Sequence, residues 1–477
     1  MNKLFISFFI AAVSSFTLQA QNVLDTYTAP EGAPLNDDFT VQVRVPGGEW
    51  QSIPTYMVLV DEVRRTEHHF EESSVAFFDF EGQVDVKVIS NGAAIASARV
   101  RPLSCGIEPT VDGKELTFSL NSPKNLSVEV NGDIFHNLQL FANPLCKDKP
   151  DKMRIKKDKD LIYFGPGYYD LGRDGLKVGS GKTVYIDGGA FINGTIKVAD
   201  AEGVRVYGRG MVRPERAAGV SVSRSRDVVV EGVIVTQCPV GGSDGVKVLN
   251  VKSITNYGWG DGMNVFASSN VLFDGVFCRN SDDCTTVYAT RKGYTGSCHH
   301  IIMQNSTLWA DVAHPIFIGI HGNAENPDTI EDCRYYNIDI LDQKEKQLNY
   351  QGCLAINGGD NNIIRDITFE NIRIEDIREG QLCNFRIFFN RKYCKAPGQC
   401  INDILIKDVT YTGDNANVSI ISGYDATRKI SGVTFQNLKI NGVVISDDME
   451  GKPAWYQTGD IARIYVGEHV DDVKFIK

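Results

Sequence analysis

Asn270-Val271-Leu272-Phe273-Asp274-Gly275-Val276-Phe277-Cys278 and Asp366-Ile367-Thr368-Phe369-Glu370-Asn371-Ile372-Arg373-Ile374 are two copies of one nine-residue pattern. A turn former is followed by apolar residues at alternate places, a second turn former and two more alternating apolar places. Related copies begin at Asp332, Asp403 and Gly432, with looser ones at Asp227 and His300, so that starts from Asn270 onward lie 30, 32, 34, 37 and 29 residues apart. Alternation means strands, and no segment sustains the i, i+3, i+4 apolar spacing of a helical solenoid. A propeller blade needs about four strands per repeat, whereas these repeats hold two or three. A period of this length built from strands is the mark of a β-solenoid. Each copy supplies two short strands joined at Asn, Gly or Asp, where a left-handed residue turns the corner. Inward apolar side chains then stack from coil to coil at about 4.8 Å. The expectation for residues 151–477 is a right-handed parallel β-helix.

Residues 21–150 follow another grammar, with short alternating runs such as Thr40–Val45 and Val84–Val88 separated by Gly, Pro, Asn and Asp turns. They read as an antiparallel β-sandwich, which makes the fold all-β, an N-terminal sandwich followed by the helix. His68 and His69 beside Glu71 and Glu72 suggest a solvated polar loop rather than a metal site. Lys147 to Asp160, rich in Lys and Asp, is the expected linker or first edge of the helix.

Residues 1–20 read as an export signal, with Lys3, an apolar run from Leu4 to Val13 and Leu18-Gln19-Ala20 before Gln21. That run is too short for a bilayer span, and no later segment is long and apolar enough to supply one. The expected product is periplasmic or secreted. A net charge of −11 has the wrong sign for a protein that rides on phosphate backbones, so nucleic acid is excluded as a partner. Eleven Cys in an oxidising compartment permit disulfides, with Cys383, Cys394 and Cys400 the expected source of one. Cys278, Cys284 and Cys298 lack the spacing of a zinc site.

The most unusual local chemistry is Trp259-Gly260-Asp261-Gly262-Met263-Asn264 followed by Asn280-Ser281-Asp282-Asp283-Cys284. Asp261 and Asp282 are 21 residues apart, near the length of a minimal coil, which predicts the same angular position on neighbouring coils. Asp282 and Asp283 can both face outward only where a strand ends or bulges. Carboxyls held so close retain a proton near neutral pH, as glycosidic cleavage requires. The same oxygens could instead make a calcium site. His314 follows one enlarged coil later, placed to hold a substrate hydroxyl and tune the acid, and His321 is a weaker candidate. Trp259, Tyr257, Tyr288 and Trp309 flank the acidic residues, and aromatic faces suit sugar CH surfaces.

Asn280–Cys284, Gly260-Asp261-Gly262, the run Val184–Gly194 and Val206-Tyr207-Gly208-Arg209-Gly210 resemble the polygalacturonase clan of glycoside hydrolases over about residues 155–440. That clan comprises family 28, the pectin hydrolases, and family 49, the dextranases and isopullulanases, and a sandwich placed before the helix is similar to family 49. The resemblance implies a parallel β-helix enzyme that inverts the anomeric centre without a metal or organic cofactor. It implies Asp282 as general acid, with Asp261 and Asp283 activating water. His314 matches the family 28 histidine, though Ala313 and Pro315 stand where that family has glycines. The Arg-x-Lys pair that grips galacturonate has no clear counterpart. Arg386 and the neighbouring Arg391-Lys392 are the basic candidates.

A uronate buried without a cation suffers an unpaired-charge penalty of several kcal/mol, which tilts the expectation toward a neutral α-linked glycan. The expected function is an exported inverting hydrolase of an α-linked polysaccharide or oligosaccharide. Asp261, Asp282 and Asp283 are its expected catalytic residues, and His314, Trp259, Asn264, Tyr288, Trp309 and Arg386 its expected substrate contacts. A polygalacturonase-type hydrolase, a calcium-dependent lyase and a non-catalytic glycan-binding helix are the alternatives.

Overall fold

The repeat starts Asp227, Asn270, His300, Asp332, Asp366 and Asp403 all adopt left-handed backbone, with φ between 51° and 59°. So do the residues five places on, among them Asn305, Asn337, Asn371 and Asp408. Asn and Asp tolerate this conformation better than other side chains, which is why the pattern selects them. His300 is the exception in type, and its Nδ1 lies 2.8 Å from Asp332 on the next coil. The corners also bond to each other. Asn371 Nδ2 donates to Asn337 at 3.2 Å, and Asn337 Nδ2 to Asn305 at 2.8 Å.

These features come from a computed structural model that describes residues 22–64 and 67–477. The proposed export signal lies outside the described residues. From Leu161 onward the chain winds into a 20-stranded and an 11-stranded sheet. Both are parallel apart from the hairpin between Leu438–Ile440 and Val443–Ile445. One inward column runs Val184, Val206, Val230, Val248, Phe273, Met303, Tyr335, Phe369, Ile406, Phe435 and Phe475, each in register with the next. All are buried. The expected parallel β-helix is therefore present, with its core inside the coils. Among the described residues no helix is long and apolar enough to cross a membrane.

The N-terminal region is a sandwich of a six-stranded and a five-stranded sheet closed over Val41, Val43, Val86, Phe78, Leu126 and Leu138. It is not wholly antiparallel. Asp133–Pro144 pairs parallel with Glu67–Glu81, Leu140 opposite Ala76. That pairing brings together strands far apart in sequence, so alternation alone does not reveal it. The outer face of the six-stranded sheet is itself buried, because Tyr56, Val58, Phe77 and Phe141 pack on Phe191, Met211, Ile234 and Phe277 of the helix. Arg209, from the glycine-flanked motif, locks this interface with both Asp79 oxygens at 2.9 Å.

His68 and His69 lie in the strand Glu67–Glu81 rather than in a loop, opposite Val63 and Glu62 of Tyr56–Arg64. The Lys-rich stretch forms a short helix, Lys152–Lys157, capped by Asp151 accepting from Arg154 N–H at 2.7 Å. The expected bridge among Cys383, Cys394 and Cys400 is absent, and all three thiols are free. Cys383 packs inside the coils, whereas Cys394 belongs to a separate cluster with Phe266 and Phe317, so their sulfurs do not face each other.

Candidate active site

Two glycines set the position of Asp261. A Cβ on Gly260 would lie 2.4 Å from Ser281 Oγ, and one on Gly262 would lie 2.5 Å from Asn280 Oδ1 and from Cys284 O. Only glycine lets this segment press against the neighbouring coil. That coil is anchored in turn. Asn280 Nδ2 donates inward to Ser253 and Thr255 at 3.0 Å, and Ser281 Oγ donates to Tyr257 O at 2.7 Å. The strand Phe277–Asn280 ends there and Thr285–Tyr288 begins the other sheet. Asp282 and Asp283 occupy the corner between them, where the alternation of a strand no longer applies. Met263 pairs with Thr285 and Asn264 with Thr286. Asp261 therefore stands over Asp283, with Asp282 one residue earlier, and this corrects the expected alignment of Asp261 with Asp282.

All three carboxyls line one cavity of about 510 Å³. Asp283 is the most buried and the best supplied with donors. His314 Nδ1 lies 2.7 Å and His314 N–H 3.2 Å from its Oδ1, and Tyr288 donates its hydroxyl to Oδ2 at 3.2 Å. The other ring nitrogen of His314 lies 2.7 Å from Tyr350 O. Both nitrogens thus face oxygen acceptors, so both must donate and the ring is an imidazolium. Burial works against that charge, but Asp283 overcomes it and holds the His314 pKa above the ordinary value.

The other two carboxyls are pushed up as well. Burial, then repulsion from Asp261 and Asp283, raises Asp282 well above the carboxylate range. Burial and Asp283 push Asp261 up to about 7, against the bond from Asn264 and the charge of Lys292. Asp283 N–H donates to Asp282 Oδ1 at 3.1 Å, which leaves Oδ2 free to carry a proton into the cavity.

The model of glycosyl hydrolases family 28 matches residues 212–454, just over half of the chain and all of this cluster. The chain belongs to glycosyl hydrolases family 28. It is a glycoside hydrolase, and it shares its fold with a solved structure of low identity. Dex49A from Penicillium minioluteum is similar at 13% identity and TM-score 0.58, over 94% of this chain and 96% of that one. A family 28 exopolygalacturonase from Yersinia enterocolitica is similar at 11% identity and TM-score 0.48, over 82% and 96%. A hyperthermoactive exopolygalacturonase from Thermotoga maritima is similar at 14% identity and TM-score 0.39, over 59% and 84%. No curated protein sequence matches the chain.

Within this family 28 site the expected contacts divide. Trp259 is 85% exposed and lines the cavity, as does Tyr288. Asn264 does not line it. It donates Nδ2 to Asp261 at 2.6 Å and so orients a carboxyl instead of a sugar. His314 is fully buried with both nitrogens engaged, and cannot hold a substrate hydroxyl. Ala313 before it takes a left-handed φ of 67°, so the glycine-like backbone survives without the glycine. Trp309 faces away from the site. It is fully buried under the sandwich, with the Arg279 guanidinium 4.1 Å and that of Arg101 5.2 Å from its ring. Arg386 does not line the cavity, because it donates to Asn349 O at 3.0 Å and rests over Phe388.

Of the remaining lining residues, the sequence names only Lys392 and His321 as candidates. Arg291, Lys292 and Lys392 are cations at the cavity wall, and among the described residues none forms an ion pair with a carboxylate. Arg291 instead donates to His321 Nδ1 at 2.9 Å. Burial and that guanidinium push His321 down to about 3, so it lines the cavity as a neutral ring. Glu345 is raised by burial and opposed by His314. Tyr350 and Tyr393 stack at 5.2 Å, and His68 reaches in from the sandwich. Among the described residues no group of three or more His, Cys, Asp or Glu is arranged to hold a metal ion.

Proposed function

We propose that this family 28 hydrolase is exported and cleaves an α-linked glycan with inversion. One observation carries the reading: Asp282 and Asp283 are consecutive and face one cavity, yet their surroundings differ. Asp283 is bonded by the His314 ring and the Tyr288 hydroxyl, while burial beside Asp261 and Asp283 favours protonated Asp282. A proton passes from Asp282 to the glycosidic oxygen as the bond to the anomeric carbon breaks. Water attacks that carbon from the opposite face and gives its proton to Asp283 or ionised Asp261. Solvent then returns the proton to Asp282. The charged, apolar and small-residue regions of residues 1–20 support export.

The substrate reading differs from the sequence expectation. Preference for a neutral glycan rested on missing cations, and Arg291, Lys292 and Lys392 supply them. Unpaired cations beside a cluster of carboxyls favour a sugar that brings its own carboxylate. A uronate-containing α-glycan is therefore the better candidate. Polygalacturonate, dextran and pullulan assayed for new reducing ends test this directly. Polygalacturonate should be cleaved fastest, with the initially released anomer inverted by NMR. Faster cleavage of dextran or pullulan would overturn the uronate assignment, and a retained anomer would overturn the mechanism.

A further inference from the structure

A second cavity of about 450 Å³ lies beside the catalytic one, lined by Phe70, Arg216, Gln237, Tyr257, Gly258 and Trp259. The two share Gly258 and Trp259, so the indole stands on the sill between them. Phe70 belongs to the sandwich. It lies two residues from His68 on the same strand, hence on the same face, and His68 lines the catalytic cavity. One hairpin of the N-terminal region therefore walls both spaces.

That hairpin is held in place. Its Asp61 is fully buried and bonds His68 Nδ1 at 2.6 Å, and Lys344 of the helix donates to Val63 O. Tyr56, Val58 and Val60 of the same hairpin are buried against the coils. The aromatic side chains that meet across the second cavity are not packed. Trp259 is 85% and Phe70 46% exposed. Trp259 also keeps a left-handed φ of 62°, a conformation that L side chains rarely adopt. Its carbonyl is fixed by Gln237 Nε2 at 2.9 Å, so the backbone is pinned while the ring stays free. Strain of this kind with an exposed aromatic is expected where a ligand completes the packing.

We propose that this second cavity is a sugar subsite. It takes a hexopyranose of the same glycan on the far side of Trp259 from the bond that is cut. The apolar face of that sugar rests on Phe70, Trp259 or Tyr257, and Arg216 with the free Gln237 oxygen meets its hydroxyls or carboxylate. The N-terminal region is thereby a working part of substrate recognition. This rests on the hydrolase reading above only in assuming that the ligand is a glycan chain.

Binding is measured in the Asp282→Asn background, where hydrolysis does not consume the ligand, by tryptophan fluorescence. The probes are galacturonate oligomers and α-1,6-linked glucose oligomers of two to six sugars. Affinity for at least one series should rise by about tenfold when the chain becomes long enough to pass Trp259. Phe70→Ala should remove that step and leave binding of the shortest oligomer unchanged, and Phe70→Tyr should restore it. An unchanged step in Phe70→Ala, equal weakening at every length, or no binding of either series would overturn the subsite. Hydrolysis by the unsubstituted enzyme is scored separately, so retained cleavage with no length step defeats the subsite alone, and a length step without cleavage defeats the hydrolase reading alone.

Discussion

Replacing Asp261 by Asn should abolish activity and stabilise the protein, but only where the carboxyl is forced to ionise. Burial and Asp283 raise Asp261 from 3.8 to about 7. Below about pH 4 the carboxyl is protonated in folded and unfolded chains alike, and it costs nothing. Between pH 4 and 7 the unfolded carboxyl gives up its proton while the folded one keeps it, so stability falls as pH rises, levelling off above about 8. The shift sets a ceiling of about 4 kcal/mol on that loss. The carboxyl is partly exposed to the cleft, and the attraction of Lys292 is lost with it, which leaves roughly 2 kcal/mol to be regained by the substitution. In a chain of this size that is about 2–4 °C. Calorimetric melting at one scan rate, at pH 4, 6 and 8, reads the effect as a difference between variant and parent. The difference should be near zero at pH 4 and largest at pH 8. A difference independent of pH, or an Asp261→Asn variant less stable than the parent at pH 8, would refute the placement of Asp261 in a desolvated carboxyl cluster.

Asp282→Asn should lose at least about three orders of magnitude in kcat with the circular dichroism of the parent and a melting temperature at neutral pH that does not fall, since the same burial that raises Asp282 also makes its ionisation costly. His314→Gln should lower kcat and cost about 3 kcal/mol of stability at neutral pH, because the buried Asp283 loses its partner. Unchanged stability in denaturant unfolding would show that His314 and Asp283 do not act as a buried pair. Trp309→Ala should cost about 3–5 kcal/mol by emptying the space between Arg279 and Arg101, with KM unchanged, measured by denaturant unfolding and steady-state kinetics.

The helix was legible because its constraint is local and repeated. A left-handed corner needs Asn, Asp or Gly, an inward column needs apolar residues at every second place, and both demands recur on each coil. Asp366, Asn371 and the column residue Phe369 lie within six residues of one another and carry the whole rule. The sandwich was legible as strands and not as pairing. Nothing in the alternation of Ser74–Phe80 or Leu138–Pro144 signals that the two run parallel, since their partners are chosen by the fold of the whole sheet. Trp309 misled for the same reason. On a bare coil its outward place beside the acidic corner would be solvent-facing. Here the sandwich covers that surface, and the indole becomes interior.

The candidate site divides along the same line. Gly260, Asp261, Gly262, Asn280, Asp282 and Asp283 sit on two adjacent coils, so short spacing was enough to bring them together, although a register of 22 rather than 21 decided which carboxyls align. The facing wall is made otherwise. Arg291 and Lys292 follow the strand Thr285–Tyr288, Glu345 and Tyr350 follow Thr329–Gln343, Lys392 follows Cys383–Ile387, and His68 comes from another sheet. No common spacing links loops that leave successive coils with different lengths. A census of charge taken along one strand therefore finds carboxyls and no cations, while the same census taken across the cavity finds both. Substrate charge is decided by the second count, because a sugar carboxylate entering the cleft meets whatever the opposite wall presents, whichever coil supplied it.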